Sequence, residues 1–301
     1  MKPKFLIKLS ISIGMLAMIM AFVDLESLKR TLLNIPTWTA VIVILGYLAG
    51  QILSAYKWWL IVRSGGIETN FSSTLKAYLI GMFVNCFGLG VLGGDMTRGI
   101  LVSEGKGKKT SGIASVIADR AQGLGVLAVI GLIGAAYFHK EKIDSFFYLF
   151  LIALCSAIVV GWILGPAILL KFYPKHFKFR NKVEEIAKAF PKDPKVLITI
   201  TLLSAIFHLI QIYLHKFMGA GLGIDLSWPL LLATVPFVNI LSSLPISWNG
   251  LGVRETGYIF FLAGYLTQEQ ALSFGAIWLL AVTVTSAIGG IISFLAKDIS
   301  I

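Results

Sequence analysis

Charge is scarce in this sequence. Of its 301 residues only 14% are Asp, Glu, Lys or Arg, while 57% are hydrophobic. A soluble domain carries roughly 25% charged residues, so this composition cannot supply an ordinary water-facing surface. Cysteine is scarcer still. Cys86 and Cys155 lie inside apolar runs and read as small buried hydrophobes, which excludes a disulfide framework. The four histidines, His139, His176, His208 and His215, form no ligand cluster, and the closest pair is seven residues apart. No metal and no cofactor is expected. There is no Gly-x-Ser-x-Gly, no His-Glu-x-x-His and no Walker A loop, so neither hydrolytic chemistry nor ATP-driven work is expected of the chain, and it is read as a non-enzyme. The net charge of +11 does not indicate nucleic acid. The basic residues gather in short connections beside apolar segments, where they set topology and meet anionic headgroups.

Long apolar runs are abundant. Six stretches, roughly 5–23, 38–62, 111–138, 146–170, 196–218 and 270–296, reach the length of about 20 residues that a membrane crossing needs. The first follows Met1-Lys2-Pro3-Lys4, and no Ala-x-Ala-like cleavage site precedes Asp24, so an uncleaved first helix is expected. Two regions remain, 74–104 and 228–266. Each holds two apolar arms around a Gly-rich break that carries charge, at 88–98 and 244–255. Irregular backbone at membrane depth survives only where protein or a water-filled cavity covers it, so both regions are expected to be re-entrant hairpins. With the N-terminus cytoplasmic and both regions re-entrant, 16 Lys and Arg fall inside against four outside (Lys29, Arg30, Lys140 and Lys142). Full crossing by 74–92 would move Lys106, Lys108 and Lys109 outside, against the positive-inside rule. The expected architecture is all-α, one membrane domain over 1–301 in the cell membrane. The two hairpins have opposite orientation, which admits an inverted repeat with halves 1–140 and 141–301. The 171–195 connection is basic and cytoplasmic. Within it Val183, Ile186, Ala187 and Phe190 share a helical face before Pro191 and Pro194, either as an amphipathic helix on the leaflet or as a solvated linker helix.

Arg98 and Arg254 are the leading candidates for function. A charge at the bilayer centre costs about 2.5–3.5 kcal/mol even on insertion scales. The guanidinium fork matches phosphate oxygens, and a half-helix N-terminus after each glycine turn adds N–H donors. A phosphate site is one reading. Mutual neutralisation of Asp95 with Arg98 and of Arg254 with Glu255 is the other. Asp119 and Arg120 lie about 13 Å into their span, where Asp119 can meet Arg98 or Arg120 can meet Asp95, with Gln122 in reach. They serve either the site or a lock between spans. Gly94, Gly250 and Gly252, in the Gly-rich turns that precede these half-helix N-termini, complete the candidate set. His208 and Gln211 share a face, for interhelical hydrogen bonding or a proton relay. Asn85, Asn239, Ser242 and Ser243 precede the breaks and can cap helix ends or line a polar path. Lys57, beside Trp58 and Trp59, reads as an interfacial anchor whose charge snorkels outward.

These residues carry a resemblance. Gly93-Gly94-Asp95 with Arg98, Ala114-Ser115-Val116 running into Asp119-Arg120, and Gly250-Leu251-Gly252-Val253-Arg254-Glu255 resemble the lysylphosphatidylglycerol synthase transmembrane region family over about 5–296. The resemblance implies a flippase-like membrane unit that handles phospholipid. In bifunctional members a soluble domain fused after it performs aminoacyl transfer. Here the chain ends at Ile301, so synthase activity is not expected. The expected function is translocation of a phosphate-bearing lipid, an anionic phospholipid or a polyprenyl phosphate, between leaflets. An accessory protein or enzyme of polyprenyl-phosphate metabolism, a secondary transporter of a small anion, and a structural partner remain alternatives. Self-association or a lipid-modifying partner enzyme is compatible with each.

Overall fold

The computed structural model describes residues 25–88, 90–137, 145–172, 184, 186, 187, 189–244 and 247–295. Ten helices order these residues: α1 (Leu25–Asn34), α2 (Thr37–Ser64), α3 (Phe71–Phe87), α4 (Gly90–Val102), α5 (Lys109–Tyr137), α6 (Ser145–Phe172), α7 (Pro194–Gly221), α8 (Trp228–Ser243), α9 (Val253–Phe261) and α10 (Gln268–Leu295). Among the described residues the β structure is limited to one isolated bridge, Ala263 with Leu266.

Helices α2, α5, α6, α7 and α10 have 28 or 29 residues. At 1.5 Å per residue each is about 42 Å long, more than the ~30 Å apolar core of a bilayer. Four of them, α2, α5, α7 and α10, are also apolar enough to cross, and α6 carries an apolar run over Leu149–Gly165. The protein is therefore a multi-pass helical membrane protein. The expected span at 5–23 lies outside the described residues.

Both hairpin regions form two short helices, but the first differs from expectation. Residues 90–98 are helical, so most of the expected Gly-rich break at 88–98 is helix; Leu89 lies outside the described residues. The glycines there serve helix packing. A Cβ at Gly81 of α3 would stand 2.9 Å from the Gly94 carbonyl and 3.0 Å from Arg98 Cβ, and one at Gly94 would collide with the Gly81 carbonyl and Asn85 Oδ1. Small residues at such crossings let membrane helices approach closely. In the second hairpin the described residues 247–252 are non-helical up to the start of α9 at Val253. It turns through Asn249, Gly250 and Gly252 at φ 53°, 75° and 82°, a left-handed region that glycine occupies without strain.

The chain divides into two compact units. Unit 1 holds Met1–Ala49, Ala128–Cys155 and Leu209–Thr285; unit 2 holds Gly50–Leu127, Ser156–His208 and Ser286–Ile301. Each hairpin lies wholly within one unit, α3–α4 in unit 2 and α8–α9 in unit 1, whereas each long helix contributes residues to both. Unit 1 buries Phe237, Tyr258 and Phe274. In unit 2, Trp58, Val62, Tyr78 and Val116 form one core cluster and Ile61, Ala114, Ala118, Ala189 and Ile200 another. Ile186 and Phe190 pack on that second cluster, and Ala187 is buried. This face of the 171–195 connection is thus covered by protein rather than laid on a leaflet; Val183 lies outside the described residues.

Candidate functional site

In unit 2 five ionisable residues join in a single line of alternating charge. Lys57 Nζ (α2) lies 2.9 Å from Asp119 Oδ1 (α5), and Arg98 Nη2 (α4) donates to Asp119 Oδ2 at 3.0 Å. Arg98 Nε donates to Asp95 Oδ1 at 3.2 Å. Arg120 closes the line, with Nε 2.8 Å from Asp95 Oδ2 and Nη2 3.0 Å from Oδ1. Both pairings open to α5 therefore form, Asp119 with Arg98 and Arg120 with Asp95. Neighbours on a helix point about 100° apart, which is why Asp119 and Arg120 reach different partners. Lys57 contradicts its reading as a snorkelling anchor. It is 5% exposed, and Gln122 Oε1 accepts from its Nζ at 3.1 Å. Polar Gln51 and Ser54, six and three residues earlier on the same helix, were the available signal that this side of α2 faces protein.

Arg98 is enclosed on further sides. Its guanidinium lies 4.7 Å from the Trp58 ring centre and 5.1 Å from that of Tyr78, a cation–π setting that gains strength when desolvated. The rings are held in turn: Trp58 Nε1 donates to Ser115 Oγ at 3.1 Å, and Tyr78 OH lies 3.0 Å from both Gln51 Oε1 and Ser54 Oγ. Trp58, Tyr78, Gln51 and Ser54 were not singled out from sequence, because their contacts are long-range. Arg98 Nη1 and Asn85 Oδ1 are buried without a hydrogen-bond partner among the described residues. The line ends in the open, with the Arg120 side chain 40% exposed.

Unit 1 is built differently. Arg254 is 8% exposed, yet among the described residues its side chain makes one hydrogen bond, from Nη2 to the Asn249 carbonyl at 3.3 Å. Its Nε and Nη1 have no partner among the described residues. The alternative reading, neutralisation of Arg254 by Glu255, is not realised as a direct pair. Glu255 Oε2 instead accepts the Gly252 N–H at 2.6 Å, reaching back to satisfy a free donor at the start of α9. Gly250 is required where it stands: a Cβ would lie 2.9 Å from the Ser242 carbonyl and 3.2 Å from Arg254 Nη2.

One turn along α9 from Arg254, Tyr258 OH lies 2.6 Å from His215 Nε2, while His215 Nδ1 lies 2.7 Å from the Gln211 carbonyl. A carbonyl only accepts, so Nδ1 carries the proton and Nε2 accepts from the phenol. Asn239 Nδ2 donates to Gln211 Oε1 at 3.1 Å. His208 Nε2 bonds the Gly123 carbonyl at 3.0 Å in unit 2, so His208 and Gln211 share a helix face but no partner. Ser243 Oγ donates to the Ile240 carbonyl at 2.7 Å in the last turn of α8, and Ser242 Oγ is buried without a partner among the described residues.

This arrangement can bind anions. Each unit buries an arginine with unused nitrogen donors, and in a low-dielectric setting such donors are satisfied by a charged acceptor. No curated protein matches the chain. The lysylphosphatidylglycerol synthase TM region family matches residues 5–290, a stretch that contains both hairpins and every charged residue described above, and the chain belongs to that family of integral membrane proteins, whose function is lipid-related.

Proposed function

We propose that this protein is a lipid translocase that carries a phosphate-bearing lipid between the leaflets of the cell membrane and makes or breaks no covalent bond. The observation that carries the reading is Arg254, a buried guanidinium that leaves Nε and Nη1 unpaired among the described residues. A purely structural cation would be expected to be paired, since the effective penalty for burying an unpaired ion is several kcal/mol. A lipid phosphate supplies the missing acceptors, and the α9 N-terminus adds a favourable partial charge.

The topology proposed with it has a cytoplasmic N-terminus, six spans and two re-entrant hairpins. The hairpin arms have 17, 13, 16 and 9 residues, at most about 26 Å each at helical rise, too short to cross alone. The order long, medium, short, long recurs as α2–α5 and α7–α10. It supports an internal repeat, with Arg98 and Arg254 in its corresponding short helices.

The test is exchange of fluorescent phospholipid and polyprenyl phosphate between leaflets of vesicles holding the purified protein. Wild type exchanges at least one class, and Arg254→Ala lowers that rate about tenfold or more, as expected for loss of a charged hydrogen bond. Equal exchange by folded wild type and variant refutes the proposal.

A further inference from the structure

The role given to Arg254 leaves one buried group of unit 1 unused. His215 lies inside an apolar span and is fully buried, its ring centre 5.6, 6.2 and 4.5 Å from those of Tyr258, Phe274 and Trp278. An apolar side chain would fill that space with no polar ring to satisfy. Because Nε2 accepts the Tyr258 hydroxyl at 2.6 Å, the imidazole is neutral, and Nε2 holds the lone pair that can take a proton. Tyr258 stands one turn after Arg254 on α9, the spacing at which helical side chains are neighbours.

The surrounding charges decide when that lone pair is used. From α9 His215 meets Tyr258, with Arg254 and Glu255 on the same helix, and Glu255 is held on the Gly252 N–H. From α10 it meets Phe274 and Trp278, neither of them ionisable, and Trp278 packs in turn on Tyr47 of α2 at 5.3 Å between ring centres. Helix α8 has no ionisable residue. On α7 itself Lys216 is engaged by Asp225 and the Leu226 carbonyl. The uncompensated charge in this set is therefore Arg254. Without a ligand it opposes a second cation at His215, and an anion on Arg254 removes that opposition.

We infer that His215 is a proton-binding site linked to the Arg254 site, so that a proton and a lipid anion are taken up together and a pH difference across the membrane drives the exchange. One proton from solvent bonds to Nε2, and no other covalent bond forms or breaks. The Tyr258 oxygen then accepts from the new N–H. Gln211 and Asn239, half-buried and joined by a 3.1 Å bond beside His215, supply hydrogen-bonding groups for the entry of the proton. The linkage is reciprocal: the complex holds more protons than the empty protein, so affinity rises as pH falls. The inference rests on the translocase reading and goes beyond it by naming the coupling ion and the residue that binds it.

The experiment begins with short-chain phosphatidylglycerol, whose phosphodiester does not titrate near neutral pH, added to the full chain in weakly buffered neutral detergent with a pH dye. Wild type takes up protons as it binds, and its affinity rises by up to about tenfold per unit fall in pH. His215→Gln keeps a polar partner for Tyr258 but no titrating nitrogen, so it binds without proton uptake and with a flat pH profile. A purely structural His215 would leave the uptake in place. If His215→Gln fails to fold, Tyr258→Phe takes its place: a moved midpoint of the pH profile is expected, and an unmoved one overturns the inference. In phosphatidylcholine vesicles with the membrane potential clamped, a difference of one pH unit enriches fluorescent phosphatidylglycerol about tenfold in the leaflet facing the alkaline side. His215→Gln loses that enrichment while exchange without a gradient continues. Binding by folded wild type without proton uptake, or uptake retained in His215→Gln, overturns the inference and leaves translocation standing. Linked uptake without leaflet exchange refutes translocation and leaves the proton site standing. Folded wild type that binds no lipid overturns both.

Discussion

Replacing Arg98 and Arg254 by methionine should change stability in opposite senses. Arg98→Met removes two ion-paired contacts, to Asp95 at 3.2 Å and Asp119 at 3.0 Å, together with the ring contacts of Trp58 and Tyr78. Breaking a buried pair costs about 3–5 kcal/mol. Asp119 keeps Lys57 and Asp95 keeps Arg120, so neither carboxylate is orphaned and the loss belongs near 3 kcal/mol. For a chain of 301 residues that is a fall in Tm of about 5 °C. Arg254→Met forfeits one bond, 3.3 Å long, to a neutral carbonyl, about 0.5–1.5 kcal/mol. It also abolishes a buried cation with two unsatisfied nitrogens, whose desolvation penalty is several kcal/mol. The Tm should therefore hold or rise while exchange is lost. Cys86 and Cys155 are both buried, so a thiol-reactive fluorophore reports unfolding directly. Cys155→Ala leaves Cys86 to report on unit 2, and Cys86→Ala leaves Cys155 to report on unit 1. A Tm loss for Arg254→Met equal to that of Arg98→Met would refute the reasoning, because it would mean that Arg254 is already fully paired in the ligand-free protein.

Gly94→Ala places a methyl against the Gly81 carbonyl and Asn85 Oδ1; overpacking of this kind costs about 1–3 kcal/mol, read as a lower Tm in the same thiol assay, and an unchanged Tm would show that α3 and α4 separate without penalty. The re-entrant topology is checked by impermeant thiol labelling in a background lacking Cys86 and Cys155. Glu68→Cys and Lys106→Cys should label from one common side, and Asp225→Cys and Thr267→Cys should likewise share a side; labelling of either pair from opposite sides would show that its hairpin crosses the membrane.

Composition and run length by themselves determined that this is a helical membrane protein, since a chain so poor in charge and so rich in apolar segments of spanning length cannot hide them in a soluble core. Sequence also located the charged residues worth testing, because an ionisable side chain inside an apolar run carries a cost that something must offset. The Gly-rich signal was ambiguous by nature. The glycines at 93 and 94 lie within a helix, with Gly94 against α3, while those at 250 and 252 turn the backbone, and composition does not distinguish close packing from positive φ. Only the tertiary structure decided which charges meet. Lys57 beside two tryptophans looked like an interfacial anchor, and its inward direction follows from Asp119 and Gln122, about sixty residues away in the chain. The same holds for Arg254 and Glu255. As neighbours they could neutralise each other or leave the arginine for a phosphate, and the geometry of a helix start decides: it turns the carboxylate back to the Gly252 N–H and leaves the guanidinium with donors to spare. Hydrophobic burial is written in local composition, whereas pairing between charges depends on which helices pack together, and that information is long-range.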